Sequence, residues 1–180
     1  SKRRQESIPS IIPKTVGASK IRRTGTLNAN VLFDYDKSEL TDEGKQELAD
    51  ILPIYCKVLL QKDYKKYLAE IIIDGNTDTD GDYDYNLELS QKRSLAVAQY
   101  LTEIRENFLS SDEISELQNY LTVNGHGSAN PVLDSDGNVD KDASRRVEVK
   151  FRLKDDEMIN ELNQIMNTDK TSDSEKSGSN

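Results

Sequence analysis

Ile71, Ile72 and Ile73 run without interruption into Asp74 and Gly75. Three β-branched residues in a row favour a strand over a helix, and a run this short, ended by a turn dipeptide, predicts a central strand covered on both faces. Whatever follows then sits at the carboxyl end of a strand, where sheet folds place their ligand sites. Here it is Asn76-Thr77-Asp78-Thr79-Asp80-Gly81, part of a stretch that also holds Asp74, Asp82 and Asp84.

The other elements are arranged around that strand by their periods. Arg146 to Leu153 alternates strictly, with Val147, Val149, Phe151 and Leu153 on one side and Arg146, Glu148, Lys150 and Arg152 on the other, the pattern of a half-buried strand. Asn30 to Phe33 and Leu121 to Asn124 predict two more short strands. Thr41 is placed as an N-cap, with Asp42 and Glu43 in the first turn of a helix whose inward stripe is Leu48, Ile51, Leu52, Tyr55, Val58 and Leu59 and which Pro53 is expected to kink. A second helix carries Leu89, Ala96, Val97, Tyr100, Leu101 and Ile104 on one stripe; a shorter one opens at Ser111 with Ile114, Leu117 and Leu121 inward. Met158, Ile159, Leu162, Ile165 and Met166 predict a last amphipathic helix, packed beside the final strand or against a partner copy. The order strand, helix, strand, helix, helix, strand, strand implies an α+β two-layer sandwich, a mixed β-sheet with helices on one face. The expected divisions are a basic linker or arm at 1–25, one domain at 26–154, the amphipathic helix at 155–167 and a disordered tail at 168–180.

Charge narrows the function. With 24 basic and 33 acidic residues the net charge is -9, which argues against sequence-independent binding to nucleic acid or an anionic membrane and favours neutral, zwitterionic or cationic partners. Residues 1–25 run the other way, with seven basic residues against Glu6 alone. Cys56, the one cysteine, lies in an apolar helical pattern and reads as a buried, inert thiol. No run of about 18 apolar residues is present, so the segment is expected neither to cross a bilayer nor to carry a signal peptide. It opens on Ser rather than Met, and an upstream part is expected.

Gly75-Asn76-Thr77-Asp78, followed by Gly81, Asn86, Leu89-Ser90 and Arg93, resembles the signature of the OmpA-like domain family, shared by outer-membrane protein tails, peptidoglycan-associated lipoproteins and the B subunits of flagellar stators. Phe33-Asp34-Tyr35-Asp36-Lys37-Ser38 is similar to that family's first strand and turn, Ala143-Ser144-Arg145-Arg146-Val147-Glu148 to its closing strand, and Gly125 to Pro131 to its Gly-x-Gly-x-x-x-Pro loop. The resemblance covers about residues 30 to 153. Asn76 stands where the family usually has His, and Ser144 where Asn or Asp is common. It implies a βαβαββ fold and non-covalent binding of peptidoglycan through the stem peptide's diaminopimelate, whose free end carries an ammonium and a carboxylate on one carbon. A zwitterion needs one fixed anion and one fixed cation: Asp78 can accept from the ammonium and the Arg93 guanidinium can grip the carboxylate through two parallel bonds. By the same resemblance Asp34, Asn86 and Arg145 line the pocket: Asp34 helps with the ammonium, Asn86 hydrogen-bonds and Arg145 reinforces the carboxylate. The bland reading of the charges is that Asp78 and Arg93 pair with each other. The resemblance further implies a wall anchor on the extracytoplasmic side of the cell envelope, held in the inner membrane by an upstream helix, with outer-membrane attachment as the rival; a stator B subunit would be a homodimer associated with a membrane channel subunit, and a motility stator, a related ion-driven complex in defence or transport and a static wall anchor all stay open. No cofactor is implied.

Two other classes are weighed. Asn76, Asp78, Asp80 and Gly81 occupy positions 1, 3, 5 and 6 of a calcium loop, but position 12 is Leu87 and no helix precedes it, so calcium or protein interaction through residues 76–86 is the alternative. Catalysis by paired carboxylates has little behind it: no nucleophile motif, metal-ligand cluster or phosphate-cradling glycine loop is found, and His126 between two glycines reads as a turn residue. The chain is therefore expected not to be an enzyme.

Overall fold

The computed structural model describes residues 23–154. The isoleucine run lies in β2 (Leu68–Asn76), an inner strand of a four-stranded sheet of order β1-β4-β2-β3. β4 (Arg146–Leu153) pairs antiparallel with β2, bringing Ile73 opposite Val149 and Asn76 opposite Arg146, while β3 (Leu121–Gly125) runs parallel to β2 on its far side. A parallel neighbour needs a crossover. It is supplied by α4 (Tyr83–Ile104) and α5 (Ser111–Tyr120), with a short 3-10 turn at Arg105–Asn107 between them.

Ile71, Ile73, Val147, Val149 and Phe151 are buried on one sheet face under the helices, but Ile72 is only half-buried, so the expected cover on both faces holds for one face among the described residues. The reason is visible in the outward positions. Glu70 pairs with Arg152 at 2.9 Å, and Asp74 and Glu148 share Lys150 at 3.0 Å each, so the open face is an ionic ladder rather than an apolar surface.

Two expectations at the amino-terminal end are corrected. Asn30 to Phe33 is not a strand: Asn28 accepts the Asn30 N–H at 2.8 Å through its side chain and caps a single helical turn, α1 (Ala29–Leu32), closed by Phe33 N–H to the Ala29 carbonyl at 2.9 Å. The first strand lies earlier. β1 (Arg23–Asn28) pairs antiparallel with β4 along its length and takes the last three residues of the stretch expected as a linker. The order is otherwise the expected one, with α2 (Asp42–Leu59) and α3 (Lys62–Lys65) between α1 and β2, and α6 (Lys141–Ser144) before β4. Thr41 caps α2 as expected: its hydroxyl accepts from Gly44 N–H at 2.9 Å and donates to the Val31 carbonyl at 2.8 Å. Pro53 lies within α2, and Leu48, Leu52 and Cys56 are buried beneath it. The cap of α5 is Ser110, in a reciprocal capping box with Glu113, one residue before the expected opening. The calls on 1–22, on the helix at 155–167 and on the tail at 168–180 lie outside the described residues.

What positions the site is how closely α4 sits on the sheet. A Cβ on Gly75 would lie 2.3 Å from the Ser90 carbonyl oxygen, and one on Gly125 2.4 Å from the Gln91 nitrogen. Glycine at both places lets the helix backbone meet the ends of β2 and β3 directly, and Ser90 donates nothing to the sheet side but accepts Gly127 N–H at 2.9 Å. The amino-terminal half of α4 therefore buries Asn86, Ser90, Arg93 and Ser94, a polar stripe, while Leu89 and Ala96 of the expected apolar stripe are only half-buried and its buried members begin at Val97.

Candidate functional site

Past Asn76 the chain turns out of β2 and is held by its own side chains. Asp78 accepts Asp80 N–H at 2.9 Å, Asn86 Nδ2 donates to the Asp80 carbonyl at 2.8 Å, and Asp82 caps α4. Asn86 is thus a clamp on the loop as much as a pocket residue. The Asp78 carboxylate, mostly shielded, receives Arg145 Nη1 at 2.6 Å. Arg145 also faces Asp142 at 3.8 Å, its Nε is buried with no hydrogen-bond partner, and Asp142 in turn accepts from Asn30 at 2.7 Å.

Arg93 is placed differently from the expectation. Only 7% exposed, it lies over the Phe33 ring at 5.0 Å, donates from Nε to the Lys37 carbonyl at 2.8 Å and more distantly from Nη2 to the Asp34 carbonyl at 3.5 Å. It neither pairs with Asp78 nor sits on a polar surface away from the core. Its guanidinium grips the turn 34–37, which Lys37 N–H to Asp34 carbonyl closes at 3.0 Å. Burial pushes the Arg93 pKa down, Asp36 and Tyr85 oppose that, and Arg145 and Asp78 act on it with opposite signs, which places these charges in one neighbourhood.

All five expected residues therefore meet at the carboxyl end of β2: Asp78 and Arg145 as an ion pair, Arg93 beside them, Asp34 through the turn Arg93 holds, and Asn86 through the loop. Asp34 keeps its side chain exposed. Sequence reasoning missed Asp36, whose φ of 61° is the left-handed turn of this segment and whose carboxylate accepts the Tyr85 hydroxyl, and Asp142, which ties α6 to Asn28 and Asn30. An Asp one residue before Lys in a Phe-Asp-Tyr-Asp-Lys segment is a turn signal that could have found the first. Ser144, at the family's Asn or Asp position, is fully buried and accepts Val132 N–H at 2.9 Å.

The calcium arrangement does not assemble. Asp78 is turned onto Arg145, Asp80 onto Lys141 at 3.0 Å, and the Asn76 side-chain oxygen is buried without a partner, so the three do not converge on one point. Among the described residues no group of three or more His, Cys, Asp or Glu side chains is arranged to hold a metal. His126 lies on the ladder, its Nε2 3.2 Å from Asp74, rather than in the pocket. No helix of the described residues is long and apolar enough to cross a membrane.

The end of the sheet thus gathers one carboxylate and two arginines beside helices packed on one face. The OmpA family model matches residues 32–145, and the chain belongs to the OmpA family. It is 36% identical over 129 residues to the Zorya protein ZorB of Escherichia coli O139:H28, a match covering 68% of this chain and 50% of that one. To outer membrane protein A of Salmonella typhi it is 33% identical over 129 residues, covering 71% of this chain and 32% of the relative. The chain thus spans half or less of the length of these two relatives. Among solved structures, the periplasmic domain of Helicobacter pylori MotB (residues 78–256) superposes with a TM-score of 0.51 at 18% identity, covering 81% of this chain and 85% of that one, a likeness of fold.

Proposed function

We propose that this domain binds peptidoglycan without catalysis, through the zwitterionic end of the stem peptide's diaminopimelate, and anchors the protein that carries it to the cell wall. The observation that carries the reading is the Asp78–Arg145 pair at 2.6 Å with Arg93 beside it. A bound zwitterion exchanges one internal ion pair for two external ones: its ammonium takes Asp78, and its carboxylate takes the released Arg145 fork with Arg93 beside it. Because the pocket is preformed by Asn86 and the 34–37 turn, little ordering is left to oppose binding. The family membership supports wall binding; that the protein is held in the inner membrane as a homodimer with a channel subunit is the reading carried by the sequence's resemblance to stator B subunits.

The test is co-sedimentation of the 180-residue chain with insoluble peptidoglycan. Wild type is expected in the pellet and Asp78→Asn, which keeps the shape and removes the charge, in the supernatant, still folded by circular dichroism although the Arg145 ion pair is lost. Retention of Asp78→Asn at the wild-type level refutes the pocket.

A further inference from the structure

Tyr35 is 95% exposed, yet it does not sit on a loose loop. The turn carrying it is closed by Lys37 N–H to Asp34, gripped from below by Arg93 on two carbonyls, and fixed at Asp36 by the Tyr85 hydroxyl. Phe33 and Leu40 bridge its base, and Thr41 N–H to the Leu32 carbonyl at 2.9 Å completes it. Arg93 is among the holding contacts, so the backbone that carries the ring is fixed next to the Asp78–Arg145–Arg93 cluster. Tyr85, 46% exposed, is tied to the same turn through its hydroxyl bond to Asp36, the residue after Tyr35. An exposed tyrosine on a fixed backbone offers a large contact area with only two side-chain torsions to order, which is how tyrosine serves at recognition surfaces. Its immediate chain neighbours, Asp34 and Asp36, are both exposed, and an ionised carboxylate only accepts hydrogen bonds.

We infer that Tyr35, with Tyr85 tied to the same turn and Asp34 and Asp36 flanking it, is a subsite for a pyranose ring of the glycan strand, adjoining the Asp78–Arg145–Arg93 pocket; this rests on the peptidoglycan reading. A flat aromatic face matches the C–H face of a sugar ring, and carboxylates to either side match its hydroxyl and amide donors. A stem peptide alone presents methyl groups and charges, with nothing of the size of an aromatic ring. The subsite makes the domain sense the glycan as well as the peptide, so that peptide attached to sugar is preferred over peptide that has been cut free.

Two soluble probes separate the contributions by calorimetric titration: a disaccharide-tripeptide containing diaminopimelate, and the same tripeptide alone. Wild type is expected to bind the disaccharide probe more tightly. Tyr35→Ala is expected to weaken that probe by roughly 5- to 30-fold, the range for truncating an aromatic contact, and to leave the tripeptide unchanged. Tyr35→Phe should behave as wild type, because the ring and not the hydroxyl makes the contact. Equal losses on both probes, or no loss on either, overturn the subsite while leaving the pocket standing. If wild type binds neither probe, the diaminopimelate reading fails and the subsite with it.

Discussion

Replacing Arg93 by Ala removes a pocket cation, and the structure says it also removes a support. The side chain is 7% exposed, donates to the Lys37 carbonyl at 2.8 Å and covers the Phe33 ring at 5.0 Å. A hydrogen bond from a charged donor contributes about 1.5–3 kcal/mol and a cation–π contact about 0.5–2 kcal/mol, while the 3.5 Å contact to Asp34 adds little. Truncation should therefore cost about 2–4 kcal/mol, which for a domain of this size lowers the unfolding midpoint by roughly 8–16 °C. Arg93→Lys keeps the charge but not the fork, and should fall between. Thermal and urea unfolding followed by circular dichroism measure this directly, with Asp78→Asn as the pocket variant that leaves the turn intact. An Arg93→Ala midpoint within 2 °C of wild type would show that the guanidinium does not hold the 34–37 turn, and the reasoning for a preformed pocket would go with it. If the loss is as expected, failed wall binding by Arg93→Ala cannot be ascribed to ligand contact alone.

Acid should find the ladder first. Burial alone would raise the Asp74 and Glu148 pKa values, but hydrogen bonds from Asn124, Lys150 and His126 on Asp74, and from Arg146 and Lys150 on Glu148, outweigh it and hold both below the usual carboxylate range. Groups with depressed pKa values contribute stability above the unfolded-state pKa, near 4, and lose it as the pH falls through the folded one. Stability should be level above about pH 5 and decline below about pH 4, and Lys150→Met should move the acid unfolding midpoint upward; an unmoved midpoint contradicts the assignment. Gly75→Ala places a methyl 2.3 Å from a backbone oxygen, so α4 must lift off β2; a loss of at least about 2–3 kcal/mol in urea unfolding is expected, and a neutral effect would refute the close contact.

The parts of the molecule written in local periods were legible in the sequence. The Ile71–Ile73 run became an inner strand, the Arg146–Leu153 alternation became a strand with Val147, Val149 and Phe151 inward, and α2, α4 and α5 buried Leu48, Leu52, Val97, Leu101 and Leu117 of their expected stripes. Local pattern failed where two structures share one composition. Ala29-Asn30-Val31-Leu32 suits a strand or a helical turn, and the Asn28 cap decides it. β1 was hidden because Arg23, Thr24 and Gly25 have the composition of the preceding stretch, and its strand character comes from pairing with β4, a contact more than a hundred residues away. Which residues gather at the end of β2 could be read from the family motif, but their wiring could not. Which arginine meets Asp78 depends on how α6 and α4 approach the end of β2, and that is set by glycines and buried serines whose partners are distant in sequence.

The strand directions have a mechanical consequence. β1 enters the sheet at Arg23 opposite Phe151 and ends at Asn28 opposite Arg146, the end at which β2 delivers Asn76 and the pocket begins. Tension arriving through residues ahead of β1 and resisted by a ligand in the pocket therefore pulls lengthwise along the sheet. The β1–β4 bonds are then sheared together rather than peeled open one after another, and forced unfolding is governed by the rate of crossing that single, cooperative barrier. A tether built this way yields late and all at once.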